Sequence, residues 1–249
     1  MKKKIKGIIL AGGKGSRLFP VTKVISKHLI PVYNKPLIYY PLELLIKAKI
    51  KDILIISDNK NIKLLKNLLG NGSDYKIKIS YKIQKNPNGI SEAFILGKKF
   101  IGKDNVSLIL GDNIFYGKKY LLKLLNSAIL NLENNLCTIY GKRVKNPSDF
   151  GIAYFNKKKK LIDIVEKPKK TKSNMAVVGL YFFTNDVIKK VKLIKLSKRG
   201  ELEITSIIKL YIEEKKIILK NLKNIFWADC GTFDSLLYTS IKIKNLINK

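Results

Sequence analysis

Cysteine and histidine are scarce in this chain, and their scarcity excludes several kinds of site. The two cysteines, Cys137 and Cys230, have neither the spacing of a metal site nor the number that a disulfide framework requires. His28 is the sole histidine, and we interpret it as a polar residue near a loop rather than as a general base. The sequence also lacks any apolar run near the ~18–20 residues that cross a bilayer, so no membrane segment is expected.

Arginine is rare among the basic residues. The formal net charge is +32, yet arginine occurs only at Arg17, Arg143 and Arg199, and the other 47 of the 50 basic residues are lysine. The lysines are spread along the chain, and no arginine-rich tract or aromatic RNA-binding motif accompanies them. We therefore expect a solvated basic surface without specific nucleic-acid binding, and a positive field that attracts anionic substrates.

A secretory leader is not expected either. The basic start of the chain is followed by a short apolar stretch at 8–10 (IIL), which breaks at Gly12. This stretch is far shorter than the ~7–15 residues of a signal core. The sequence therefore predicts a cytoplasmic protein.

Apolar runs alternate with helical patterns through the first half of the chain. The run at 52–57 (DILIIS) is nearly continuous, which is typical of a parallel strand that is covered on both faces. This alternation predicts βαβ units in a doubly wound, mostly parallel sheet, and thus an α/β fold. The strands are predicted at 4–11, 52–57, 77–84 and 106–110. The helices are predicted at 37–49, 61–69, 91–100 and 119–132.

Beyond about residue 137 strand-like runs follow one another closely, which predicts an antiparallel subdomain. Four lysines at 157–160 indicate the exposed turn of a hairpin. We expect one domain over 1–249, with a first half at about 1–135, a second half at about 136–231 and a closing helix at 232–249. The later strands are predicted at 137–144, 151–155, 161–166, 176–183 and 217–222, and a further helix at 203–214.

Residues suited to chemistry lie where the predicted parallel strands end. A glycine-rich loop at 12–17 (GGKGSR) follows the first strand, Gln84 ends the third, and Asp112 follows the fourth. The carboxyl ends of parallel strands form a crevice that is the usual ligand site of such sheets. Glycines there let backbone N–H groups approach phosphate oxygens closely. The loop has neither the P-loop spacing nor the third glycine of the dinucleotide fingerprint, so alone it is weak evidence.

Arg17, Pro20 and the segment at 26–31 (SKHLIP) make the signal specific. Together with the glycine loop they resemble the signature of the sugar-nucleotide pyrophosphorylases, a family of nucleotidyltransferases. Further segments resemble its glucose-1-phosphate thymidylyltransferase branch and occur in the family's order over nearly the whole chain. They are YNKPLIYYPL at 33–42, QKNPNG at 84–89, LGDNIFYG at 110–117, EKP at 166–168, KSN at 172–174, VGLYF at 178–182, RGELEIT at 199–205 and WADCGT at 227–232.

The resemblance implies a Rossmann-like nucleotidyltransferase fold and a reaction between dTTP and glucose 1-phosphate. The sugar phosphate attacks the α-phosphorus of the triphosphate directly and pyrophosphate leaves, so no protein nucleophile is required. The first half of the chain then binds the nucleotide, and the antiparallel second half binds the sugar. A homo-oligomer is implied as well. The resemblance is to shorter members without a C-terminal helical tail, which leaves feedback control and tetramer assembly open.

The resemblance also implies roles for individual residues. Arg17 grips the departing phosphates, and Lys27 and Lys167 neutralise charge on the two substrates. Asp112 and Asp229 hold Mg²⁺, which prefers hard oxygen ligands and often combines one or two carboxylates with substrate phosphates. The nucleotide-binding set is Leu10, Gly12, Gly13, Gln84, Pro87, Gly89 and Asp112. The set for the sugar phosphate is Gly151, Glu166, Lys167, Val178 and Arg199.

Two alternatives stay open on the sequence. Within the same class, the substrates are UTP or another sugar phosphate, because thymine and uracil differ by one methyl group that is worth about 1–3 kcal/mol in a pocket. Gln84 is expected to bond the pyrimidine edge in either case. In another class, the chain is a catalytically degenerate nucleotide-binding protein that keeps the fold without turnover. The joint presence of Arg17, Asp112, Lys167 and Asp229 argues against that alternative.

Overall fold

The computed structural model describes residues 3–117 and 119–248. The strands are β1 (Ile5–Leu10), β2 (Pro31–Val32), β3 (Lys35–Pro36), β4 (Asp52–Ser57), β5 (Lys78–Ile83), β6 (Asn105–Leu110), β7 (Asn113–Tyr116), β8 (Cys137–Arg143), β9 (Gly151–Phe155), β10 (Leu161–Glu166), β11 (Met175–Phe183), β12 (Ile217–Asn221) and β13 (Phe226–Asp229). The α-helices are α1 (Val21–Val24), α2 (Tyr39–Lys47), α3 (Asn59–Leu69), α4 (Glu92–Leu96), α5 (Lys98–Ile101), α6 (Lys119–Glu133), α7 (Val187–Lys190), α8 (Ile204–Glu213) and α9 (Phe233–Ile247). No helix in these described ranges has the length and apolar character that crossing a membrane requires.

The chain forms two compact units, each assembled from three separate stretches. The stretches of the parallel unit are Gly7–Asn86, Ile109–Leu122 and Asn224–Lys249. The stretches of the antiparallel unit are Met1–Lys6, Pro87–Leu108 and Lys123–Lys223. The units are therefore interleaved along the sequence, whereas the expected halves are consecutive and meet near residue 135.

Parallel pairing of β1, β4 and β5 organises the parallel unit. β4 pairs with β1 on one side and with β5 on the other. In the pairing of β4 with β5, Asp52 lies opposite Lys78 and Ser57 opposite Ile83. All of β4 beyond Asp52 is buried, as its continuous apolar sequence predicts for a strand covered on both faces. The predicted α/β class with parallel strands is confirmed, and β4 has the predicted bounds.

The segments that follow β1, β5 and β6 meet at one edge of these strands. The backbone N–H of Ala11 donates to the carbonyl of Ile56 over 2.7 Å, and that of Gln84 to Ser57 over 2.8 Å. The N–H of Gly111 donates to the carbonyl of Leu10 over 2.9 Å. The predicted convergence of the glycine loop, Gln84 and the turn at Asp112 on the carboxyl ends of the strands is confirmed.

A two-stranded antiparallel ribbon, β7 with β13, completes this edge, and the sequence patterns do not predict it. Asn113 lies opposite Asp229 and Tyr116 opposite Phe226. Each strand has four residues, too few for a period-2 pattern to stand out from its neighbours. Helix α9 closes the unit, and its Leu236 and Ile243 join a buried apolar cluster with residues of the ribbon. The other buried members are Leu18, Val32, Leu37, Tyr40, Ile114, Ala228 and Cys230.

The antiparallel unit has the predicted strand composition. β11 pairs antiparallel with β8 and with β9, and β9 forms an antiparallel hairpin with β10. The lysines at 157–160 are exposed at the hairpin turn, as predicted. β12 pairs with β8 in parallel, so this strand departs from the antiparallel expectation.

One predicted helix of the antiparallel unit is divided into two helices in the structure. The segment at 91–100 contains two short helices, α4 and α5, which are separated at Gly97. Glycine is about 1 kcal/mol less favourable than alanine in a helix interior, which explains a break at that residue. Ser91, which was predicted to lie in the helix, stands just before α4 and donates a hydrogen bond to the carbonyl of Glu203.

Candidate active site

Glycines shape the loop after β1. Gly13 and Gly15 have φ of 100° and 60°, values that glycine adopts without the strain that other residues meet. Gly12 is needed for a different reason, because a Cβ atom there would lie 2.3 Å from Oε1 of Gln84. The loop backbone thus lies directly against the buried Gln84 side chain at the end of β5.

Arg17 and Asp229 approach each other at Gly231. Arg17 lies in a 3₁₀ helix, Ser16–Leu18, that begins directly after the left-handed Gly15. A Cβ atom at Gly231 would lie 2.5 Å from Nη2 of Arg17 and 3.0 Å from Oδ1 of Asp229. The missing side chain at Gly231 therefore leaves room for the guanidinium and the carboxylate on the same side of the loop.

Lys27 and Asp112 form a largely buried ion pair, with side chains that are 14% and 15% exposed. Lys27 begins a short 3₁₀ helix that Ser26 caps, and its Nζ donates a short hydrogen bond to Oδ2 of Asp112. Burial is the largest single influence on the pKa of each group, and it disfavours the charged form. The attraction between them and the hydrogen bond outweigh it, so the pKa of Asp112 is lowered and the pKa of Lys27 is raised. Both groups are charged at neutral pH.

The backbone places the two aspartates of the predicted metal site side by side. The N–H of Cys230 donates to the carbonyl of Asp112 over 2.9 Å, and Asp229 lies opposite Asn113 in the ribbon. The side chain of Asn113 also donates to Oδ1 of Asp112 over 3.0 Å. Across 3–117 and 119–248, no three His, Cys, Asp or Glu side chains gather into a metal site. A metal held by these two carboxylates would need oxygens from a substrate to complete its coordination.

His28 is buried beside this cluster. Its Nδ1 lies 3.1 Å from Oγ of Ser26, and its ring packs so closely on Gly111 that a Cβ there would lie 2.7 Å from Cδ2. Burial and then the positive charge of Lys27 lower the pKa of His28 to about 3. The imidazole is therefore neutral at physiological pH, which fits a buried polar residue better than a proton carrier.

A second cluster lies in the antiparallel unit and is centred on Glu166. Oγ1 of Thr205 donates to Oε2 of Glu166 over 3.1 Å. A Cβ atom at Gly151 would lie 3.4 Å from the same oxygen and 2.7 Å from Cγ2 of Thr205, so glycine allows this approach. Burial and then the negative charge of Glu203 raise the pKa of Glu166, while Thr205 and neighbouring cations act in the opposite direction.

Arg199 lies among three carboxylates of this cluster. Its Nη2 is 2.9 Å from Glu201, and its Nη1 is 3.4 Å from Glu203 and 3.6 Å from Glu166. The side chains of Arg199 and Glu201 are 39% and 36% exposed, whereas that of Glu203 is 7% exposed. The guanidinium therefore joins a solvent-facing acid to a buried one.

Pro87 and Gly89 also belong to the antiparallel unit, while Gln84 belongs to the parallel unit. Gly89 has φ of 103°, and a Cβ atom there would lie 2.6 Å from the carbonyl oxygen of Leu202. The turn predicted to contact the base thus packs on the segment that carries Arg199.

The two remaining predicted residues of the sugar-phosphate set lie at strands. Lys167 follows β10 with φ of 41°, and its N–H donates to the carbonyl of Phe150 over 3.0 Å. Val178 is buried in β11, where the pairing with β8 is irregular between Val177 and Tyr181.

The structure sorts the predicted residues into the two clusters, and it adds residues that the sequence reasoning missed. The parallel unit holds Leu10, Gly12, Gly13, Arg17, Lys27, Gln84, Asp112 and Asp229. The antiparallel unit holds Pro87, Gly89, Gly151, Glu166, Lys167, Val178 and Arg199. The missed residues are Ser26, Glu203, Thr205 and Gly231, which lie inside the conspicuous sequence segments but reveal their contacts only in three dimensions.

The two clusters suit different chemistry. In the parallel unit, backbone N–H groups of a glycine loop, a guanidinium and a lysine stand beside two carboxylates, which suits a polyphosphate with a hard cation. In the antiparallel unit, carboxylates that accept hydrogen bonds stand beside an arginine, which suits a ligand with both hydroxyl and phosphate groups.

Comparisons with known proteins agree with this chemistry. The family model described as nucleotidyl transferase matches residues 6–245. A glucose-1-phosphate thymidylyltransferase of Neisseria meningitidis is 47% identical over 93% of this chain and 80% of its own length. One of Mycolicibacterium smegmatis is 43% identical over 97% of this chain and 83% of its own length.

Two solved structures share the fold over nearly all of the chain. A Bacillus anthracis protein assigned as a glucose-1-phosphate thymidylyltransferase, solved with sucrose, aligns with a TM-score of 0.87 at 36% identity and covers 96% of this chain and 94% of its own. A UDP-glucose pyrophosphorylase complexed with UDP-glucose aligns with a TM-score of 0.84 at 25% identity and covers 98% of this chain and 99% of its own.

Proposed function

The chain belongs to the nucleotidyl transferase family, and from that premise we propose that it transfers a thymidylyl group from dTTP to glucose 1-phosphate. Curated relatives at 43–47% identity that bear the name of this activity, and of which the chain covers at least 80%, support the assignment. The observation that carries it is the gathering of Arg17, Lys27, Asp112 and Asp229 at the carboxyl edge of parallel strands. A degenerate binding protein has no need of that arrangement.

The reaction proceeds by direct displacement. An oxygen of the sugar phosphate forms a bond to the α-phosphorus of dTTP, and the bond between that phosphorus and the pyrophosphate oxygen breaks. Arg17 binds the departing phosphates with its planar fork of donors. Lys27 and Lys167 offset charge on the nucleotide and the sugar phosphate. Positioning and charge stabilisation suffice, because no covalent intermediate on the protein forms.

Mg²⁺ fits the residues that are present. The backbone segments that carry Asp112 and Asp229 are adjacent, so their two carboxylates would supply hard oxygen ligands. Two carboxylates plus phosphate oxygens are a common magnesium arrangement. Held by these two carboxylates, a magnesium ion would supply positive charge that offsets the charge of the phosphates. Lys27 keeps Asp112 ionised and holds its carboxylate in place, so that the ligand is ready without a proton having to leave.

The two clusters bind different parts of the substrate pair. Leu10, Gly12 and Gly13 contact the nucleoside, and Gln84 hydrogen-bonds the pyrimidine edge. Pro87 and Gly89 complete the proposed nucleotide-binding set from the antiparallel unit. Glu166 accepts hydrogen bonds from sugar hydroxyls next to Gly151 and Val178. Arg199 binds the sugar phosphate. The contacts of Gly12 with Gln84, and of Gly151 with Glu166, support this division.

UTP is the alternative nucleotide, and the likeness to a UDP-glucose pyrophosphorylase favours testing it. One methyl group distinguishes the two bases and is worth about 1–3 kcal/mol in a pocket, so we expect slower turnover with UTP rather than none.

The setting of the reaction is also a proposal. We place it in the cytoplasm, where dTTP and sugar phosphates are available, in a homo-oligomer that makes dTDP-glucose for deoxysugar and polysaccharide synthesis. The basic surface attracts these anionic substrates without specific nucleic-acid binding.

Pyrophosphate release tests the proposed function. Purified protein is assayed with Mg²⁺, glucose 1-phosphate and each of dTTP, UTP, CTP and GTP. Fastest release with dTTP, and loss of release on chelation, are expected. Release with another triphosphate alone would contradict the role of Gln84, and no release with any sugar phosphate would contradict the proposed reaction.

A further inference from the structure

Glu203 differs from the other acids around Arg199 because it is buried. Its side chain is 7% exposed, against 36% for Glu201. A buried carboxylate is stable only when it is paired and hydrogen-bonded. Oε1 of Glu203 accepts a hydrogen bond from Oγ of Ser197 over 2.9 Å and one from Nη1 of Arg199 over 3.4 Å. The charge of Glu203 therefore constrains where the guanidinium lies.

The backbone at Glu203 is fixed from the opposite side. Oγ of the buried Ser91 donates to the carbonyl of Glu203 over 3.0 Å, and the N–H of Ser91 donates to that of Leu202 over 3.1 Å. The N–H of Leu202 in turn donates to the carbonyl of Asn88 over 2.7 Å. Glu203 thus has an anchored backbone and a side chain that reaches Arg199.

We propose that Glu203 is a positioning residue for the sugar phosphate, which acts by holding the Arg199 guanidinium in its binding orientation. This inference rests on the proposed function and on Arg199 as a ligand of the sugar phosphate. Glu203 itself does not contact the substrate. The arginine side chain has many rotamers, so a guanidinium that is already fixed loses less conformational entropy on binding.

Glu201 makes the shorter contact with Arg199 but does not have this role. Both members of that pair are more than one-third exposed, and an exposed ion pair contributes little because water screens it. Glu201 therefore serves as the matched control, since it has the same residue type, the same partner and a shorter distance.

The test compares Glu203→Gln with Glu201→Gln in steady-state pyrophosphate release. We expect Glu203→Gln to raise KM for glucose 1-phosphate roughly tenfold, with KM for dTTP and kcat within about twofold of wild type. Glu201→Gln should leave all three within about twofold. A general loss of structure would not affect one KM selectively.

A double-mutant cycle with Arg199→Gln tests the route of the effect. If Glu203 acts through Arg199, adding Glu203→Gln to Arg199→Gln causes no further rise in KM for glucose 1-phosphate. The inference is overturned if Glu203→Gln alone stays within twofold of wild type, or if it raises KM by the same factor with and without Arg199.

Two further outcomes are decisive. If Glu203→Gln does not fold, Ser197→Ala replaces it in the cycle. A rise of about threefold in KM for glucose 1-phosphate then supports the inference, and an unchanged KM overturns it. If wild-type protein releases no pyrophosphate, the proposed function fails together with this inference. Normal wild-type turnover with an unaffected Glu203→Gln enzyme contradicts this inference alone.

Discussion

The cluster in the parallel unit and the cluster in the antiparallel unit balance their charges in different ways. Lys27 and Asp112 are paired one to one and mostly buried, so each fixes the charge and place of the other. In the antiparallel unit, Glu166, Glu201 and Glu203 surround one half-exposed Arg199. The first arrangement suits a part of the reaction whose geometry must not vary. In the second arrangement the pKa of Glu166 is raised, and the half-exposed Arg199 is accessible to a ligand.

This comparison predicts that damage to the parallel cluster reduces kcat, while damage to the antiparallel cluster raises one KM. Preorganised charged groups stabilise the charge of the transition state, so their loss lowers kcat. Groups that only bind a substrate in the ground state affect KM for that substrate. The following experiments test that difference.

Asp112→Asn should have the largest effect. The substitution removes a proposed metal ligand and the charged hydrogen-bond partner of Lys27, so kcat should fall by about 10³-fold or more. Unfolding should also become easier, because the largely buried Lys27 loses its hydrogen-bonded counter-charge. Pyrophosphate release and thermal unfolding measure the two effects.

Asp163→Asn provides the control for Asp112→Asn, because Asp163 forms an exposed ion pair with Lys209 at 3.2 Å. It should retain wild-type kcat and stability. Retained turnover in Asp112→Asn would show that this carboxylate is not a metal ligand and would remove the proposed difference between the clusters.

Gly231→Ala should have the next largest effect. The new methyl group would lie 2.5 Å from Nη2 of Arg17, so the guanidinium must move. We expect kcat/KM for dTTP to fall by about 10²-fold, because small displacements of a positioning group have effects of that size. The same loss in Arg17→Gln, without a further loss in the double variant, would identify Arg17 as the cause. Unaltered kinetics in Gly231→Ala would contradict the role of Arg17.

Glu166→Gln should have a smaller and more selective effect. If Glu166 accepts hydrogen bonds from sugar hydroxyls as proposed, loss of its charge should raise KM for glucose 1-phosphate roughly tenfold and leave KM for dTTP nearly unchanged. Glu43→Gln is the control, since Glu43 pairs with Lys35 outside both clusters. An equal rise in both KM values would mean that the two clusters do not divide the substrates.

The pH dependence should show the smallest effect. Because the pKa of Glu166 is raised, this carboxyl takes up its proton at a higher pH than an ordinary glutamate does as the pH falls. KM for glucose 1-phosphate should therefore begin to rise at a higher pH than an ordinary glutamate would cause as the pH falls, and it should rise more than KM for dTTP does. Glu166→Gln should remove this dependence and leave the titration of the substrate. A pH profile that is identical in wild type and Glu166→Gln would refute the prediction.

Much of the parallel unit could be predicted because its signals are local. The apolar run at 52–57 and the glycine loop need only neighbouring residues to be interpreted. The ribbon of β7 and β13 could not be predicted, since strands of four residues depend on tertiary pairing. The break at Gly97 followed a weak propensity that a longer helical pattern concealed.

The residue types of the site could be predicted from the sequence, but most of the contacts among them could not. Asp112 and Gln84 stand at strand ends, a position that the strand pattern reveals. The approach of Arg17 to Gly231 joins residues more than 200 positions apart, and the backbone of Glu203 is hydrogen-bonded to the distant Ser91. No pattern within a single segment contains that information. The roles of the predicted residues in binding and catalysis stay predictions.

The interleaving of the two units has a consequence for how such enzymes diversify. Because each unit is assembled from three stretches, one genetic crossover cannot exchange a whole unit between relatives. New sugar specificity can instead arise by substitution inside an intact chain or by the exchange of a segment shorter than a unit. An engineer who grafts a sugar site from one relative to another should transplant short segments, such as 199–205, rather than a contiguous half of the gene.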